Sequence, residues 1–105
     1  MTLQKTAAKP APASAVRELL ATLVAFDTTS AKSNLKLIEF VEDYLNGHGI
    51  ASTRVPSPGG EKADLFATIG PQGEGGIGLS GHSDCVPVEG QRWTSDPFTL
   101  TERGG

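Results

Sequence analysis

Apolar residues along this chain fall into two stretches of helical spacing followed by short extended runs. Val16, Leu19, Leu20, Leu23 and Val24 recur three and four positions apart, which places them on one face of a helix. Ser14 precedes them, and its hydroxyl suits the free N–H groups of a helix start. The first helix is therefore predicted from Ser14 to near Phe26. Beyond it, Asp27-Thr28-Thr29-Ser30 favour local side-chain-to-backbone hydrogen bonds over continued helix. Leu37, Ile38, Val41, Tyr44 and Leu45 form a second stripe, with Glu39, Glu42 and Asp43 on the polar side. That helix should begin near Ser33 or Asn34 and end at Gly47-His48-Gly49, where glycine accepts the left-handed conformation after a last turn.

The remaining apolar runs are too short for helices. Ile50 to Val55 partly alternates and reads as a strand, and Pro56-Ser57-Pro58-Gly59-Gly60 as a loop. Leu65 to Ile69 reads as a second strand and Ile77 to Ser80 as a third. Phe98 to Thr101 is a candidate for one more. Two helices followed by short strands predict an α/β fold with helices packed on a sheet. The opening residues, Met1 to Ala13, are mostly Ala, Pro, Thr and Lys, without the apolar core of a secretory signal, and are expected to be a disordered tail.

Composition narrows the function classes. The 105 residues suffice for one domain. Twelve acids against nine Lys and Arg give a net charge of −3, and no basic stripe is present, so nucleic acid is not an expected partner. No apolar run approaches the roughly 20 residues of a membrane span. The lone cysteine, Cys85, excludes an internal disulfide and suits a reducing compartment, and the lack of a signal or span in the sequence points to the cytoplasm.

The candidate chemistry sits after the third apolar run, in Ser80-Gly81-His82-Ser83-Asp84. The carboxyl ends of strands are where open α/β sheets place their sites. On an extended backbone His82 and Asp84 share a face. The imidazole can then bind a metal through one nitrogen while the carboxylate orients the ring through the other. The competing reading is a plain hydrogen-bonded pair. His48, between two glycines at a helix end, reads as a favourable charge near the helix C-terminus.

Other patterns fail on context. Gly76-Ile77-Gly78-Leu79-Ser80-Gly81 matches a nucleotide-binding glycine pattern, but the apolar residues lie inside it and Pro87 spoils the helix that should follow. Ser80 has Gly78 before it and His82 after it, so it lacks the second glycine of a nucleophile elbow. Cys85 and His82 are three apart and point to opposite faces of an extended strand, which leaves Cys85 as a small buried hydrophobe. Trp93 reads as a core or lid contact.

The run from Ser80 to Phe98, with its core Gly81-His82-Ser83-Asp84-Cys85-Val86-Pro87, resembles the metal-ligand segment of the aminoacylase and succinyl-diaminopimelate desuccinylase type of metallopeptidase. The continuation through Gly90-Gln91, Trp93 and Asp96-Pro97-Phe98 resembles the acetylornithine deacetylases in that family. Phe26-Asp27-Thr28-Thr29-Ser30 with Ser33-Asn34-Leu35 is similar to their first helix–loop–helix. Lys62-Ala63-Asp64-Leu65-Phe66-Ala67-Thr68-Ile69-Gly70-Pro71 is similar to their second strand, with Asp64 in place of an expected Asn. Cys85 also departs from the Val or Thr expected there.

The resemblance covers nearly all of Ser14 to Gly105 and implies the N-terminal portion of a zinc-exopeptidase-like catalytic domain, helices on a mixed sheet. It implies a hydrolase with two divalent metal ions, zinc or cobalt, acting on a small-molecule N-acyl amino acid. The leading substrate is N2-acetyl-L-ornithine, cleaved to ornithine and acetate in arginine biosynthesis, and the full-length enzyme would accommodate a homodimer. His82 would be a metal ligand and Asp84 the catalytic carboxylate that orients it. The further ligands, the general base and the lid domain are expected outside these residues, so the 105-residue piece alone should be inactive. A related deacylase or dipeptidase, such as a succinyl-diaminopimelate desuccinylase, and a non-catalytic interaction fragment are the alternatives.

Overall fold

The computed structural model describes residues 12–105, in the order α1 (Pro12–Val24), α2 (Leu35–Gly47), β1 (Ser52–Pro56) and β2 (Ala63–Ala67). Most of the expected disordered tail therefore lies outside the described residues, while Pro12 and Ala13 already belong to α1. Proline is tolerated in a first helical turn, where its missing N–H would have no partner anyway. The described residues form two units. One is α1 through Ala25 together with Trp93–Gly105, and the other is Phe26–Arg92.

In the first unit, Arg17 Nε lies 3.1 Å from Glu102 Oε1. Arg103 holds Thr94 through its hydroxyl at 2.7 Å and its carbonyl at 2.8 Å. The strand expected over Phe98–Thr101 does not form. Asp96 turns the chain back instead, its carboxylate accepting the Phe98 N–H at 2.9 Å and its carbonyl the Thr99 N–H at 3.1 Å.

The second unit is built on α2 and an antiparallel hairpin. β1 and β2 pair from Ser52 opposite Ala67 to Pro56 opposite Ala63. Alternation sends Ala63, Leu65 and Ala67 to the better-buried face of the sheet, while Val55 and Phe66 stay exposed on the other. α2 packs against both strands and buries Leu37 and Ile38, which with Ala63 make up the small core. Tyr44, expected in the buried stripe, is 44 % exposed. It stands in a ladder along the helix, 6.5 Å from the Phe40 ring and 4.7 Å from that of His48. Glu42, expected on the wet side, is half-buried and pairs two oxygens with Arg54 of β1 at 2.9 and 2.5 Å. That forked contact holds the Glu42 carboxyl below its ordinary range.

α2 ends as its glycines predict. The Ile50 N–H reaches back to the Leu45 carbonyl at 2.9 Å, and the chain makes that turn through Gly49 at φ 72°. His48 Nδ1 lies 2.9 Å from the Tyr44 carbonyl, in keeping with a helix-end role.

The third strand, expected at Ile77–Ser80, is absent. Among the described residues the segment pairs with nothing, and Ile77 and Leu79 are 91 % and 95 % exposed. An apolar run becomes a strand only when a neighbouring strand takes its N–H and C=O groups, and none of the described residues does so. Among the described residues the fold is mixed α and β, with two strands in one sheet and one isolated parallel bridge, Thr29 to Cys85. Among the described residues no helix is long and apolar enough to cross a membrane.

Candidate functional site

The isolated bridge positions the candidate residues. The Cys85 N–H donates to the Thr28 carbonyl at 3.1 Å, and the Ser30 N–H donates to the Cys85 carbonyl at 3.0 Å. Thr28 adds its hydroxyl, 2.5 Å from the Ser83 carbonyl. The polar loop after α1 thus runs beside residues 83–85 as a short strap, with Thr28 and Thr29 both buried. Asp27 shapes that strap. Its Oδ1 accepts the Thr29 N–H at 3.1 Å and the Thr29 hydroxyl at 2.6 Å, and its Oδ2 takes the Lys32 ammonium. Lys32 first, then Thr29, lowers the Asp27 pKa from 3.8 to about 2.

The strap delivers Ser30 to the His-x-Asp. Asp84 Oδ1 lies 2.8 Å from His82 Nδ1, and Asp84 Oδ2 accepts the Ser30 hydroxyl at 2.7 Å. The Ser30 hydroxyl, then His82, holds the Asp84 carboxyl below its ordinary value. His82 Nδ1 also lies 3.1 Å from the Asp84 carbonyl oxygen. A carboxylate and a carbonyl both accept, so Nδ1 carries a ring proton, and in the neutral imidazole Nε2 is then the nitrogen with the lone pair. Among the described residues no hydrogen bond reaches Nε2, and the side chain is 86 % exposed. This is the tautomer and presentation that a metal-bound imidazole needs.

His82 and Asp84 are therefore together, and Cys85 is not a partner of His82. The Cys85 backbone is engaged with Thr28 and Ser30, and its thiol is half-buried. His48 is bonded within α2. Sequence reasoning missed Ser30, Thr28 and Asp27 as supports of the pair. It read their loop as a helix stop and as part of a resemblance, and nothing local in it points to residues more than fifty positions away.

Asn34 supplies a further support. Its side-chain amide donates to the Ala63 carbonyl at 2.9 Å and accepts the Ala63 N–H at 3.0 Å. It stands at the N-cap of α2 yet makes no capping bond, and Ser33 accepts the Leu35 N–H instead, at 3.2 Å. Lys62, next in the chain to Ala63, reaches the Ser30 carbonyl with its ammonium. A shallow hollow between Gly49–Ala51 and Phe66–Gly70 is lined by no ionisable side chain and includes neither His82 nor Asp84.

Zinc centres take three or four protein ligands, and among the described residues no group of three His, Cys, Asp or Glu could hold an ion. The arrangement of His82 fits a ligand with its orienting carboxylate, but these residues do not make a metal centre by themselves.

No protein-family model matches the chain, and no solved structure matches it. Curated relatives do. A protein of Pasteurella multocida (strain Pm70) named acetylornithine deacetylase is 41 % identical over 85 residues, 80 % of this chain and 22 % of its own length. Proteins of the same name from Proteus mirabilis (strain HI4320) and Shigella sonnei (strain Ss046) are 44 % and 42 % identical, each over 85 % of this chain and 24 % of their own length. The chain thus spans about a quarter of the curated relatives it matches. The resemblance read from its residues holds at that level: relatives bearing that name align with 80–85 % of the chain at 41–44 % identity.

Proposed function

We propose that this chain is part of a metal-dependent amidohydrolase of the acetylornithine deacetylase type. Its reaction is the hydrolysis of N2-acetyl-L-ornithine to L-ornithine and acetate, a step of arginine biosynthesis. The observation that carries this reading is the match to relatives named for that reaction. The geometry adds support. His82 offers Nε2 as a ligand, and Asp84 holds the ring by its other nitrogen. A bound zinc or cobalt ion would supply a Lewis acid and an acidified water. The remaining ligands and the general base belong to the parts of the longer relatives that this chain does not span, and the zinc-exopeptidase-like domain is completed there. The same reading places the protein in the cytoplasm, which the free thiol of Cys85 supports.

A chimera tests it. The matched segment of the Proteus mirabilis relative is replaced by this chain, and the product is assayed for acetate release from N2-acetyl-L-ornithine and for bound metal. The parent chimera is expected to hydrolyse the substrate. His82→Ala should lose both metal and activity. Asp84→Asn keeps the shape but loses the charge that makes the imidazole basic, and should be weakened about 10–100-fold in metal affinity or activity. A folded chimera without hydrolysis, or a His82→Ala variant with parental metal content, would overturn the proposal.

A further inference from the structure

The Asp84 carbonyl lies 3.1 Å from His82 Nδ1, but two features leave the carboxylate contact of the pair without support of its own. The two residues are one position apart from being neighbours, and their side chains are 86 % and 52 % exposed. A contact between residues so close in sequence and so open to water is easily lost, because rotation about the Asp84 side chain carries the carboxylate away at little energetic cost. Something beyond the pair must fix the rotamer.

The second carboxylate oxygen shows what does. Asp84 Oδ2 accepts the Ser30 hydroxyl at 2.7 Å while Oδ1 faces His82, so the carboxylate is pinned at both ends. The hydroxyl has one proton and a second acceptor within reach, the Cys85 carbonyl at 3.2 Å. The nearer, charged carboxylate makes the stronger bond. Ser30 is itself held by its backbone: its N–H donates to the Cys85 carbonyl at 3.0 Å, and its own carbonyl takes the Lys62 ammonium. Thr28 ties the same strap to Ser83. The donor therefore comes from a clamped backbone.

We propose that Ser30 is a positioning residue for the His82–Asp84 pair. Its hydroxyl fixes the Asp84 carboxylate, and through it holds the imidazole with Nδ1–H turned inward and the Nε2 lone pair turned out. The value of this to a metal rests on the function proposed above, but the geometry stands without it.

The test reads the ring directly. Nitrogen-15-labelled 105-residue chain is prepared free of metal, and the His82 tautomer is read from long-range proton–nitrogen correlations at mildly alkaline pH. In the parent the Nδ1–H form should dominate. In Ser30→Ala it should fall to the minor form, since an unconstrained neutral imidazole in water favours Nε2–H. Ser30→Thr keeps the hydroxyl and should restore the parental form, a rescue that a merely structural role for the position does not predict. The Ala63 amide signal reports the fold. If Ser30→Ala loses that signal, Ser30→Cys, with a weak donor of similar shape, is read in its place and should also lose the Nδ1–H form. A parental tautomer in the folded Ser30→Ala or Ser30→Cys variant, or no recovery in Ser30→Thr, overturns the proposal. These outcomes are separate from the chimera. Loss of hydrolysis in His82→Ala with a parental tautomer in Ser30→Ala would sink Ser30 alone. A Ser30-dependent tautomer with no hydrolysis in the chimera would sink the function alone.

Discussion

Replacing Asn34 with alanine removes the side chain that closes the outer edge of β2 at Ala63. Antiparallel pairs alternate between bonded and non-bonded positions. The Ser57 N–H bonds the Lys62 carbonyl at 2.9 Å, so Pro56 and Ala63, next along the ladder, form a non-bonded pair. Pro56 has no N–H to give, and that position asks for none. The Ala63 N–H and carbonyl then point away from β1, and the Asn34 amide meets both, at 3.0 and 2.9 Å, as a neighbouring strand would. Ala63 is only 3 % exposed. A buried polar group left without a partner costs about 1–3 kcal/mol. The two groups share one side chain and open together, so the pair is expected to cost about 2–4 kcal/mol. The assay is urea unfolding of dilute chain with and without Asn34→Ala, together with hydrogen exchange at single amides. The Ala63 amide should exchange roughly thirtyfold to several-hundredfold faster in the variant, taking about 1.4 kcal/mol per decade. The Asp64 amide, bonded to β1 by the same alternation, should change only as far as global stability does. A midpoint within error of the parent, with Ala63 still protected, would refute the edge-closing role.

The two glycines flanking His48 should respond in opposite directions. Gly49 sits at φ 72° with nothing within 4 Å of an added Cβ, so Gly49→Ala meets only backbone strain and should destabilise by about 1–2 kcal/mol. Gly47 is the last helical residue of α2 and equally open, so Gly47→Ala should stabilise by roughly 0.5–1 kcal/mol, and thermal melts of the two variants showing the same sign would contradict the turn assignment. Asp27 should make stability fall in acid. Its folded pKa of about 2 lies below its ordinary 3.8, so the unfolded chain takes up the proton first. The contribution is complete above about pH 4 and is lost as pH falls through about 2. Melting temperatures should therefore drop more steeply over that window in the parent than in Asp27→Asn, and parallel profiles would show that the Asp27–Lys32 contact does not bear on folding.

Periodicity was enough for what depends on local backbone and burial. α2 carries apolar residues at helical spacing and stops at a glycine, and it forms within one or two residues of its expected start. The loop at Pro56-Ser57-Pro58-Gly59-Gly60 and the two hairpin strands were legible from turn residues and short apolar runs, with β2 beginning two residues early at Ala63. The His-x-Asp was legible as a pair because its spacing on an extended backbone already brings the two side chains to one face. Where the partner lies far along the chain, the pattern is silent. Ile77–Ser80 has the composition of a strand but no neighbour among the described residues to bond it, and strand formation is a property of the pair. Glu42 reads as a surface acid until Arg54 of β1 arrives beside it. Asn34 reads only as a possible start of α2, yet its amide is drawn to the buried edge of β2, where two backbone groups would otherwise lack partners. Ser30 reads as a loop hydroxyl until the parallel bridge carries it to Asp84. Short-range order follows from each residue's own torsions and hydrogen-bonding groups. The second oxygen of Asp84 is met by a residue 54 positions away, and only chain folding could choose that residue.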